Sequence, residues 1–175
     1  MKTTLMSILL LVACVGSRAQ EMPPQPEAEL KAISYLVGEF ETTDTMHMPD
    51  GSKMESKGKA TSKWALMDRY VHMMVAGEMG PGMKFEGMFM ITYNEVDKQY
   101  EASWFDSMGG QSIKAKGQIT DGKLVLTSDT FKYMEQEMTF RLTYSKIDDK
   151  SLSFMLEMKI GEEWMTQLSS VYKKK

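Results

Sequence analysis

Residues 85–110 read FEGMFMITYNEVDKQYEASWFDSMGG, and this stretch decides the fold. Phe85, Gly87, Phe89, Ile91 and Tyr93 recur at every second residue. After the polar break Asn94-Glu95-Val96-Asp97, Tyr100, Ala102 and Trp104 do the same. Successive side chains of a strand point to opposite faces, so period two over this length predicts a half-buried antiparallel hairpin.

The same rhythm extends in both directions. Ile113, Ala115, Gly117 and Ile119 form one alternating set, and Phe140, Leu142 and Tyr144 another. Leu152, Phe154, Leu156, Met158 and Ile160 form a third. Turn signals separate about ten such runs; Asp50-Gly51 and Asp121-Gly122 are the clearest, because glycine accepts the positive φ of a tight hairpin. Long strands, short hairpins and no helices between them predict an all-β, antiparallel up-and-down β-barrel of about ten strands. Closure also leaves no sheet edge exposed. Gly58, Gly87 and Gly117, inside strands, fit the bends of a barrel wall. One helix is predicted, over Glu27–Val37: Leu30, Ile33, Leu36 and Val37 share a face, and Gly38 stops it. Too short to stand alone, it is expected to cover one mouth of the barrel.

At these residues the sequence resembles a bacterial family catalogued as domain of unknown function 1579. The resemblance runs through Leu36-Val37-Gly38-Glu39-Phe40, Asp68-Arg69-Tyr70, Phe85-Glu86-Gly87 with Tyr93-Asn94, Trp104-Phe105-Asp106-Ser107 and Val171-Tyr172-Lys173. It covers about 140 residues and implies a lipocalin-like (calycin) barrel. It implies no activity. Related haem-binding barrels use a histidine near the C-terminus; here no histidine follows His72.

The chain has 175 residues, 42% hydrophobic and 26% charged, as suits a soluble globular domain. Met1–Ala19 reads as a secretory signal peptide: Lys2 starts it, Leu5 to Gly16 is mostly apolar, and Ser17-Arg18-Ala19 supplies the cleavage site. In a competing reading, Leu11-Val12-Ala13-Cys14 is a lipobox and Cys14 carries a lipid anchor. Either way the expected location is secreted or periplasmic, free or anchored to the cell envelope. Residues 20–26, with Pro23, Pro24 and Pro26, read as a tether, and 27–175 as the barrel domain. No later segment is long and apolar enough to predict a transmembrane helix. The formal charge of −3 becomes −5 once Lys2 and Arg18 leave with the leader, which argues against nucleic-acid partners. Lys173-Lys174-Lys175 reads as a solvated end.

Cys14 is the only cysteine, so a chain cleaved after Ala19 has no disulfide and no thiol nucleophile. G-x-S-x-G, H-E-x-x-H and phosphate-loop motifs are missing, and with two histidines a nucleophilic triad has little to draw on. The reading leans away from an enzyme and calls for no cofactor. Methionine is abundant, at 19 residues. Met46-His47-Met48 and His72-Met73-Met74 could build a Cu(I) site if their strands paired, because thioether and imidazole suit that soft ion. Plain packing by an adaptable side chain is the simpler reading, and no residue is assigned to metal.

Tyr93, Trp104, Phe140, Tyr144, Phe154 and Trp164 are expected to line the interior. A greasy, aromatic lining favours a small apolar ligand. Glu86, Tyr93, Trp104, Asp106 and Arg141 are the candidate ligand-binding residues, with Arg141 the expected partner of an inward Asp106. The alternative is a barrel without a ligand, serving as a cell-envelope interaction module.

Overall fold

A computed structural model describes residues 25–80, 82–109, 112–133 and 136–175; the stretch expected to be a leader and most of the expected tether lie outside the described residues. Helix α1 spans Glu27–Ala32, shorter than the predicted Glu27–Val37. Ile33 ends it, and Ser34–Leu36 continue as one 3₁₀ turn. Twelve strands follow among the described residues. They are β1 (Gly38–His47), β2 (Lys53–Ala65), β3 (Tyr70–Glu78), β4 (Lys84–Asn94), β5 (Gln99–Asp106) and β6 (Ile113–Thr120). Then come β7 (Lys123–Ser128), β8 (Phe131–Tyr133), β9 (Gln136–Met138), β10 (Phe140–Lys146), β11 (Ser151–Ile160) and β12 (Glu163–Lys174).

Ten of the strands close into one antiparallel barrel, in the order β1-β12-β11-β10-β7-β6-β5-β4-β3-β2. Each is paired with its neighbour in sequence, except at two places. The first and last strands meet at a seam, Phe40 opposite Lys174 through Met46 opposite Leu168. Between β7 and β10 the chain makes a separate hairpin, β8-β9, where the sequence shows only a turn at Asp129-Thr130.

The predicted turn chemistry is in place. Asp121 and Gly122 have φ of 50° and 74°, the two positive values a tight hairpin requires. The Asn94 Oδ1 accepts from the backbone N–H of Val96 (2.9 Å) and of Asp97 (3.1 Å), closing the β4–β5 turn.

Alternation puts Phe40, Ala60, Val71, Met73, Phe89, Ile91, Tyr100, Leu124, Leu126, Leu142, Tyr144, Leu152 and Tyr172 inside as one core, joined by Ile33 and Leu36 from the N-terminal cap. Two tyrosines fasten that cap. Tyr100 donates its hydroxyl to the Glu29 carbonyl (2.9 Å), and Tyr35 donates to the Tyr144 carbonyl (3.3 Å). The helical segment therefore covers one mouth, as the sequence predicts.

One irregularity reorders a face. Leu156 opposes Leu168 but Glu157 opposes Thr166, so β12 carries an extra residue, Gln167. A one-residue bulge turns every later side chain to the other face. Leu168, Ser170 and Tyr172 border the barrel interior, whereas Trp164 lies on the outer wall with the Arg141 guanidinium 4.4 Å above its ring. The expectation that Trp164 lines the interior fails for this reason.

Candidate functional site: a half-filled barrel with one polar corner

The lumen is packed at the helix-covered end and unfilled towards the other. The unfilled part is a cavity of about 280 Å³, near the lower end of the roughly 300–1,000 Å³ typical of ligand pockets. Its walls include Val75, Phe85, Trp104, Phe140, Phe154 and Leu168. Around its mouth the turns carry exposed Met48, Met83, Met108 and Ile160. A larger concavity of about 400 Å³ lies on the outer wall of β4–β6. Thr92, Glu101, Lys114 and Lys116 make it a mixed-charge surface, so the cavity inside the barrel is the better candidate site.

Trp104 forms one wall of the cavity. Its ring stacks on Phe85 at 6.0 Å between centroids and meets Phe89 edge-on at 5.7 Å. It can lie across β4 only because Gly87 has no side chain: a Cβ there would stand 2.4 Å from the Trp104 Cη2. The indole Nε1–H donates to Asp106 Oδ2 at 2.6 Å. Asp106 Oδ1 accepts from the backbone N–H of Met108 (2.8 Å) and Gly109 (3.1 Å). Asp106 thus fixes the indole and the loop after β5 together, and its acceptor capacity is largely used.

The opposite wall is polar and sits at the seam. On the inner face Thr42 opposes Tyr172, and Asp44 opposes Ser170. Thr42 Oγ1 donates to Asp44 Oδ2 at 2.8 Å. Ser170 is 3% exposed, and its Oγ has no hydrogen-bond partner. Gly58 leaves the space these groups occupy: a Cβ there would stand 2.7 Å from Thr42 Oγ1 and 3.3 Å from Asp44 Oδ2. Burial, then the nearby Asp44 carboxyl, raises the Tyr172 hydroxyl well above the ordinary tyrosine range, so it stays protonated.

The structure brings together two of the five residues singled out from the sequence. Trp104 and Asp106 border the cavity. Tyr93 meets Tyr100 edge-on at 5.1 Å beneath the helical cap, away from the cavity. Glu86 is exposed, with Phe85 and Gly87 taking the inner face on either side of it. Arg141 is not the partner of Asp106. It stands on the outer wall opposite Glu157 and holds it with two hydrogen bonds, Nε to Oε2 at 2.7 Å and Nη2 to Oε1 at 2.8 Å. The reason is parity: Phe140 and Leu142 take the inner face, so Arg141 between them takes the outer one. Asp44 and Ser170 were missed. Their signal was available in Phe40, Thr42, Asp44 and Met46, which alternate, but which polar residue faces which depends on the seam register.

The two Met/His clusters do not meet, because β2 separates β1 from β3. His47 opposes Lys53 and His72 opposes Lys63, roughly 30 Å apart along β2. His47 Nε2 instead lies 3.1 Å from Ser169 Oγ. Among the described residues no group of three or more His, Cys, Asp or Glu is gathered for a metal ion. The packing role expected of methionine holds for Met73, the one methionine in the buried core of the described residues. Met74, Met83, Met108 and Met165 are exposed. No helix of the described residues is long and apolar enough to cross a membrane.

Solved structures of similar shape exist. Rv2717c from M. tuberculosis matches with a TM-score of 0.63 and 15% identity, over 84% of this chain and 97% of that one. The S-type phycobiliprotein lyase CPES from Guillardia theta matches with a TM-score of 0.55 and 11% identity, over 87% of this chain and 93% of that one. Identities this low establish a shared fold and nothing about chemistry. No curated protein matches the sequence. The family model described as protein of unknown function (DUF1579) matches residues 25–174, and the chain belongs to that family.

Proposed function

We propose that this protein is an exported barrel that holds a small, mostly apolar molecule in its lumen. The observation that carries the reading is the cavity itself: about 280 Å³, walled by Trp104, Phe85, Phe140 and Phe154, closed at the helical end and open at the other. A molecule entering it loses apolar surface to water, at about 25 cal/mol per Å². The likeness in fold to a phycobiliprotein lyase supports the barrel shape on which this reading rests. The leader-like character of Met1–Ala19 supports export.

Two measurements test this. The neutral dye N-phenylnaphthylamine should brighten on binding the purified protein, and Leu168→Trp, which fills the cavity, should abolish that signal while the fold persists by circular dichroism. A dye signal indifferent to Leu168→Trp would place the binding elsewhere and sink the reading. Mass spectrometry of protein prepared from its own host addresses export. A new N-terminus at Gln20 fits cleavage after Ala19, and one at a lipidated Cys14 fits anchoring. An intact Met1–Ala19 leader refutes export.

A further inference from the structure

Three carboxyl residues border the cavity, and they are not equivalent: Glu78 is exposed, whereas Asp44 and Asp106 are half-buried. Asp106 accepts three hydrogen bonds, from the Trp104 indole and two backbone amides. Asp44 accepts one, from Thr42. None of the ion pairs among the described residues includes either aspartate. Directly across the seam from Asp44 lies Ser170, a residue of the cavity wall whose Oγ is buried and unpartnered. Leaving a buried hydroxyl unpaired is unfavourable, so an occupant that satisfies it gains affinity. Ser62 Oγ is also buried without a partner, but it opposes Gly38 at the helix-covered end and does not border the cavity.

A carboxylate and a hydroxyl oxygen side by side are an acceptor pair. Asp44 has only acceptors to offer, and Ser170 Oγ can turn its lone pairs inward. Such a pair selects a donor head, and it selects a cation most strongly because charge-assisted hydrogen bonds are about twice as strong as neutral ones. It disfavours a carboxylate head, which would set like charges side by side. The rest of the wall is mostly apolar and aromatic, with Trp104, Phe140 and Phe154 placed for the body of the same molecule; Ser56 and the exposed Lys59 and Glu78 also border it.

We propose that the ligand is a small amphipathic primary amine, its ammonium seated between Asp44 and Ser170 and its apolar body against Trp104, Phe140 and Phe154. This rests on the lumen being a binding site. Competition against N-phenylnaphthylamine tests it with octylamine, octanol and octanoic acid, which share a tail and differ in the head. Octylamine is expected to displace the dye at a concentration about tenfold below octanoic acid, with octanol between them. Asp44→Asn should erase the amine preference while dye binding stays. Ser170→Ala should weaken octylamine several-fold and leave octanoic acid unchanged; this second variant decides the matter if Asp44→Asn does not fold. Equal displacement by amine and acid, or a preference that survives both substitutions, overturns the amine assignment while the lumen remains a binding site. A protein that binds neither the dye nor any of the three competitors removes both readings.

Discussion

The two ends of this barrel are made from one strand pattern and solved differently. At the end covered by α1, Ile33 and Leu36 fill the lumen, and the Tyr35 and Tyr100 hydroxyls reach backbone carbonyls. At the other end the rings of Trp104, Phe140 and Phe154 line a space instead of filling it, and Ser170 Oγ goes unpaired. The covered end is densely packed and satisfies its two tyrosine hydroxyls, although Ser62 Oγ there has no partner. The open end leaves space unfilled and a hydroxyl unpaired in the same place. Stability should therefore be concentrated at one end and selectivity at the other.

High pH should have the largest effect, acting through buried tyrosines at both ends. Burial raises the hydroxyls of Tyr35 and Tyr100 from an ordinary 10 to about 12, with the neighbouring Tyr100 adding to it for Tyr35 and the Glu29 carboxyl for Tyr100. An unfolded chain loses these protons near pH 10 and the folded chain near 12. In that window the folded state holds more protons, so its stability falls as pH rises and is undiminished below about 10. Tyrosinate absorbance and strand circular dichroism, followed together, should change together; tyrosinate forming at these positions in a barrel that keeps its ellipticity would contradict the account.

Leu36→Ala comes next. Leu36 is fully buried, and truncating such a side chain costs about 2–5 kcal/mol in denaturant unfolding. Gly87→Ala acts on the boundary between the ends. The new methyl must push the Trp104 indole aside, which costs about 1–3 kcal/mol, shifts tryptophan emission and weakens the dye. Leu168→Ala should matter least, at about 1 kcal/mol, because that side chain already borders empty space. If Leu168→Ala cost as much as Leu36→Ala, the proposed division between the ends would be wrong.

Much of this was legible in the sequence because period two is a strong, local signal. The barrel, its antiparallel order, the Asp121-Gly122 turn and the covering helix all follow from spacing and turn chemistry. What the sequence withheld depends on contacts between distant strands. The β8-β9 hairpin occupies a short stretch without alternation of its own. The bulge at Gln167, which turns Trp164 outward, is visible only once β11 and β12 are in register. The pairing of Arg141 with Glu157, in place of Asp106, needs that same kind of alignment between β10 and β11. At the site, Trp104 and Asp106 were legible together because they lie two residues apart on one strand. Asp44 and Ser170 were not, because 125 residues separate them and only the seam makes them neighbours.

That seam has a consequence for how the molecule comes into being. The contacts between β1 and β12 join strands more than 100 residues apart in sequence, and contacts of such long range form late and slowly. The polar corner cannot exist in any intermediate that still has β1 and β12 apart. A guest lodged across it would suture the earliest strand to the latest, and by mass action it would favour the completed cylinder over every half-zipped form.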